Sequence, residues 1–135
     1  MNILSQRNPE WFDTKIGNTN ETVGGKGCLI TDHSMITFLI EKYLNPGELA
    51  QTLDFTKEAY LIWNSVHKIG LDFVYRFYSR NDEKIKTAFR DPDQYVVLQV
   101  NNNHWVWLIG IRGGYRVADP YYGDKCYLSK RKYKI

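Results

Sequence analysis

Cys28 follows a glycine-rich turn and begins an apolar run in "VGGKGCLITDHSMI". Two roles fit a cysteine at such a boundary. It can be a small core residue, the commoner role of a free cysteine. It can also be a nucleophile, because the unsatisfied N–H groups and dipole of a helix N-terminus favour the thiolate. Gly27 before it would leave the sulfur accessible. A nucleophilic thiol also needs a base. His33 lies five residues further along the same run and so faces another side of the helix, where a surface or capping role is expected. His67 sits near the end of a predicted helix before Gly70, where a cation suits the helix dipole. His104 differs from both, because it opens the apolar strand "HWVWLIGI" straight after a three-asparagine turn. A polar ring leading an apolar strand is placed at a sheet lip, where it can face a cleft. Asp119 ends the next strand, "YRVAD", and the short "RGG" turn returns it towards His104. A carboxylate there can accept the imidazole Nδ1–H and fix the tautomer. The plainer alternatives are a strand-end histidine and an aspartate capping an Asp-Pro turn. Cysteine on a helix start, histidine on a strand start and aspartate one strand later form a Cys-His-Asp triad arrangement.

The elements that must position these groups are legible to different degrees. Residues 1–27 read as loop, with "EWF" as their apolar anchor. From Cys28 to Tyr43 the apolar residues make a broad helical stripe. Asn45, Pro46 and Glu48 predict a capped helix start and a short helix over 46–53. "FTKEAYLIWNSVHKIG" reads as helix, and "LDFVYRFYS" as a strand rich in aromatic and β-branched residues. "NDEKIKTAFRD" predicts a helix capped by Asn81 and closed by Pro92. The last third predicts strands at "QYVVLQV", "HWVWLIGI", "YRVAD" and "CYLS". Helices first and an antiparallel sheet second make an α+β fold.

The 135 residues suffice for one domain, spanning 1–135, with a genuine core. Hydrophobic residues at 43% and charged residues at 24% have the balance of a globular protein. The net charge of +3 gathers partly in the C-terminal "SKRKYKI", read as a solvated end, and nucleic-acid binding is not expected. Cys28 and Cys126 make neither a disulfide framework nor a metal pattern. No stretch reaches the ~18 apolar residues of a membrane span, and the N-terminus lacks a secretion signal. A cytoplasmic protein is expected.

The motifs "GKGCLITDHSMITFLI", "NNHWVWLIGI" and "YRVADPYYG", with "SQRNPEW" near the start, resemble papain-fold cysteine peptidases of the bacteriocin double-glycine leader peptidase type. The likeness is to their soluble single-domain relatives from bacterial and phage genomes, and it spans nearly the whole chain. It implies a papain-like fold, with N-terminal helices packed on a C-terminal antiparallel sheet. It also implies Cys28 as nucleophile, His104 as general base and acid, and Asp119 as orienting carboxylate, with no cofactor and no metal. Gln6 is the upstream candidate for the oxyanion-hole glutamine, and it reaches the site only if the Gly/Asn loop folds back. Gly27, Trp105 and Tyr121 would line a groove for a peptide or protein substrate, peptidoglycan stem peptides among the candidates. The expected location is then cytoplasmic, virion-associated or released at lysis. Two departures stand out. Asn8 replaces an aspartate, and Asp32-His33 stand where small residues usually follow the cysteine, so an anion near the thiol would raise its pKa. The competing assignments are a papain-fold binding module without turnover and a structural virion or interaction domain with an inert Cys28.

Overall fold

Alternating apolar residues and turn-forming asparagines and glycines in the last third produce a single antiparallel sheet in strand order β1-β2-β3-β4. The strands are β1 (Val97–Val100), β2 (His104–Gly110), β3 (Arg116–Asp119) and β4 (Asp124–Tyr127). The computed structural model describes residues 3–135. Asn101 and Asn102 both take positive φ, 52° and 61°, as a tight hairpin turn demands, and Val100 pairs with His104 across it. A bulge between Leu108 and Gly110 separates the two halves of the β2–β3 pairing, and Asp119 sits opposite Asp124 at the far end of β3. The fourth strand thus begins two residues before "CYLS", and Leu128–Arg131 turns into a 3₁₀ helix.

Each face of the sheet has its own cover. Trp107 and Ala118 pack on Met35 and Ile36 of helix α2 (Cys28–Leu39), while Val106, Leu108 and Val117 pack with Ile85 of α4 (Asp82–Arg90) on the other face. Helices α1 (Val23–Lys26) and α3 (Pro46–Thr52) complete the N-terminal part, with Trp11, Ile16, Val23, Ile30 and Leu49 in their core. The fold is α+β, with helices and a four-stranded antiparallel sheet. The expected capping box is present: the Asn45 side chain accepts from Glu48 N–H, and Glu48 accepts from Asn45 N–H. Asn81 likewise caps α4 by accepting from Lys84 N–H. Among the described residues no helix is long and apolar enough to cross a membrane.

Four expectations fail for local reasons. The supposed loop before Cys28 contains α1, capped by Thr22. α2 stops at Leu39 because Glu41 turns left-handed at φ 59°. The helix expected from Phe55 is replaced by a bridge between Phe55 and Leu61, and only Trp63–Ile69 winds, as a 3₁₀ helix ended by Gly70 at φ 85°. There the Thr56 hydroxyl accepts from Tyr60 N–H and Ala59 goes left-handed, which breaks any helical run. The strand expected at residues 71–79 forms no ladder.

Candidate active site

Gly27 links α1 to α2 and is the N-cap of α2, so Cys28 is the first residue of the helix. A Cβ at Gly27 would lie 2.4 Å from the Val23 carbonyl oxygen. The glycine is therefore required by close packing. Its N–H donates to Val23 O and its carbonyl accepts from Thr31 N–H, so both its backbone groups are spent inside the chain. Gly27→Ala is expected to destabilise the protein by about 2 kcal/mol through this overpacking, as a shift in the denaturant midpoint at unchanged slope.

Cys28 is buried, at 9% exposure. The backbone N–H groups of Trp105, the residue after His104, and of its own helix start, Leu29 and Cys28, act on the sulfur to lower its pKa. These donors favour the thiolate, as a helix N-terminus should. Burial nonetheless pushes the thiol up, the Asp32 carboxylate adds to it, and the net pKa is about 12. The expected lowering is thus overturned by desolvation, and the anticipated raising effect of Asp32 is present.

Asp32 lies one helical turn beyond Cys28 and is fully buried. α2 carries several other buried polar residues, and the backbone satisfies them. Thr31 Oγ donates to Gly27 O, Ser34 Oγ to Leu44 O and Thr37 Oγ to Ser34 O. The two Asp32 carboxylate oxygens have no hydrogen-bond partner among the described residues. Burial and the Asp119 charge push this carboxyl well above its ordinary value. His33 is also buried, contrary to the expected surface role, because its Nδ1 bonds the Leu29 carbonyl at 2.8 Å and its ring packs on Trp63.

His104 and Asp119 meet as the hairpin geometry predicts, but through the other ring nitrogen: Nε2, not Nδ1, lies 2.8 Å from Asp119 Oδ1. The bend of β3 into Pro120 also brings the Tyr121 N–H to Oδ1 at 3.0 Å. On Oδ2, Arg131 Nη1 and Tyr133 Oη each donate at 2.7 Å. Burial pushes the Asp119 carboxyl up, yet the bonds from His104 and Tyr133, the His104 charge and the Tyr121 N–H outweigh it and hold the group at about 2. Arg131 and Tyr133 belong to the tail read as a solvated end. The signal that marks them is Leu128, Tyr133 and Ile135, apolar positions amid the cations that pack on the sheet core.

Gln6 reaches the site from the N-terminal segment. Its backbone N–H donates to Pro120 O at 2.7 Å, and its buried side chain donates through Nε2 to Gly24 O at 3.2 Å, leaving Oε1 without a partner among the described residues. The Gly/Asn loop does fold back to meet it. Gly123 makes room for this segment: it has φ 70°, and a Cβ there would stand 2.8 Å from Ser5 Cβ. Tyr121 lies edge-on to His104 with centroids 6.3 Å apart, and the Arg7 guanidinium sits 4.1 Å above its ring. Trp105 points elsewhere, against Trp63 and Arg76 in a neighbouring cavity. Cys28, His104, Asp119, Gln6 and Tyr121 thus gather around the head of β2, while the Trp105 ring lines the neighbouring cavity and the Gly27 backbone groups are bonded within the chain. Compared with known protein families, curated proteins and solved structures, the chain has no match.

Proposed function

We propose that this protein is a cysteine peptidase of papain-like fold that hydrolyses amide bonds at Cys28. One observation carries the reading: His104 holds Asp119 through Nε2 at 2.8 Å, while the next residue's N–H reaches the Cys28 sulfur. That arrangement leaves Nδ1 of the same imidazole outside the bond to Asp119. Because burial keeps the thiol neutral, the sulfur attacks as its proton passes to His104 Nδ1. The carbonyl π electrons move to oxygen, where helix-start N–H groups and the second N–H of Gln6 stabilise the tetrahedral anion. The anion collapses, the C–N bond breaks and the imidazolium protonates the leaving amine, leaving a thioester on Cys28. Water, giving its proton to His104, hydrolyses the thioester, and the acid product leaves with the thiol restored. Arg131 compensates the Asp119 charge, so Asp119 serves chiefly to orient the ring. Peptidoglycan stem peptides and protein precursors are the substrate classes this chemistry suits, in the cytoplasm, in a virion or after lysis.

The second reading, a papain-fold module without turnover, draws on the burial and raised pKa of Cys28. An epoxysuccinyl electrophile separates the two. On the peptidase reading intact mass shows one adduct on Cys28 and none on Cys126, and His104→Ala slows its formation by at least ~100-fold in protein that is still folded by circular dichroism. Labelling of Cys28 no faster than Cys126, or unaltered by His104→Ala, would end the peptidase reading.

A further inference from the structure

A cavity of about 790 Å³ lies beside the candidate site, with the Trp105 ring in its wall. That volume falls within the ~300–1,000 Å³ of ligand pockets. Two stretches line it without a gap, residues 70–80 and residues 91–99. A strand that merely turned one face to a cavity would contribute alternate residues. An unbroken run means that the cavity meets the backbone along an edge.

β1 is an edge strand and pairs only with β2. Leu108 N–H donates to Val96 O at 2.9 Å, so by the period of two Val96, Leu98 and Val100 face β2. The N–H and C=O groups of Val97 and Gln99 therefore point outward, and among the described residues they have no partner. Along the other stretch of the same cavity wall, no backbone N–H or C=O of residues 72–79 makes a hydrogen bond within the described residues either. This segment carries Phe73, Val74, Tyr75, Phe77 and Tyr78, a composition suited to a strand, but it has no ladder.

We infer that this slot takes an extended polypeptide, which adds to the sheet as a strand between β1 and residues 72–79. Only a peptide backbone offers donors and acceptors at the two-residue period on both of its edges, which is what the open edge of β1 and a second stretch of unpaired backbone in the same cavity wall would take up. Its alternate side chains enter the aromatic cavity on either side of the sheet plane. Trp105 links the slot to the candidate site, because its ring lines the cavity while its N–H reaches the Cys28 sulfur. The inference goes beyond the peptidase reading, and binding is expected whether or not Cys28 turns over.

The test uses ¹⁵N-labelled Cys28→Ala protein and a pool of acetylated, amidated random octapeptides. The Val97 and Gln99 amides are expected to shift and to gain at least ~10-fold protection from hydrogen exchange, the equivalent of one added backbone hydrogen bond. A pool with every backbone nitrogen methylated should leave them unmoved. Gln99→Pro removes one outward donor at an edge that tolerates proline. It should weaken the tightest peptide about tenfold, the worth of one such bond. The methylated pool decides the matter should that variant fail to fold. Three results would overturn the inference: no shift with the unmethylated pool, equal shifts with both pools, or full protection of both amides without peptide. The last would mean that residues 72–79 close onto β1 themselves. Each of these is read without Cys28, so failure of the slot and failure of the peptidase assignment are told apart.

Discussion

Asp119→Ala is expected to lower the melting temperature by about 10 °C or more, corresponding to roughly 3–5 kcal/mol for removing one partner of a buried ionic cluster. The substitution strips the acceptor from four donors at once, His104 Nε2, Tyr121 N, Arg131 Nη1 and Tyr133 Oη. Arg131 keeps Asp124 and the face of the Tyr122 ring. Asp119→Asn should cost less, about 1–2 kcal/mol. Its carbonyl oxygen still serves His104 and Tyr121, and its amide can donate to the Tyr133 hydroxyl. Thermal unfolding of the three proteins, with the His104 ring resonances as a probe of orientation, gives the ranking wild type, Asn, Ala. If Ala and Asn melted together near wild type, Asp119 would be a turn residue and no more.

The second large effect is a dependence of stability on pH with an unusual sign. Asp32 has a folded pKa raised well above its ordinary 3.8, owing to burial and the Asp119 charge. Its contribution is therefore complete below the unfolded pKa and is lost as pH rises towards the folded one, by about 1.4 kcal/mol per pH unit in that window. Asp119 acts oppositely. Its folded pKa is depressed to about 2 from 3.8, so its stabilisation is complete above the unfolded value and is lost as pH falls towards 2. These two groups alone place maximal stability near pH 4. Asp32→Asn removes the first dependence. At pH 8 it should raise stability, because the ionisation penalty is removed at the lesser cost of burying an unbonded amide. At pH 4 it should be neutral or destabilising. Denaturant curves at the two pH values check the crossing. A variant less stable by the same amount at both would mean that Asp32 is bonded or solvated in solution.

The chain also shows why some parts of a fold are legible and others are not. The β1–β2–β3 meander could be read because alternation and turn chemistry are local: Asn101, Asn102, Gly113 and Gly114 take positive φ where the turns require it. The caps at Asn45 and Asn81 are local for the same reason. From these elements follows the meeting of His104 with Asp119, since a short hairpin fixes which ends return together. The central stretch failed because its helical apolar spacing competed with the turn around Thr56 and Ala59, and the turn won. α2 carries little amphipathic signal because it is covered on nearly every side, with Asp32, His33, Ser34 and Thr37 inside.

What the sequence by itself determined is the order of the four strands, the two hairpins, the place of Cys28 at a helix start and the return of Asp119 to His104. All of these rest on backbone preferences within a few residues. Only the tertiary structure decided the protonation of that site. Burial outweighs the helix-start donors at Cys28, Arg131 and Tyr133 arrive from the tail to clamp Asp119, and Asp32 is enclosed without a partner. Desolvation and long-range hydrogen bonds depend on what surrounds a group in space, and neighbours in the chain do not reveal it.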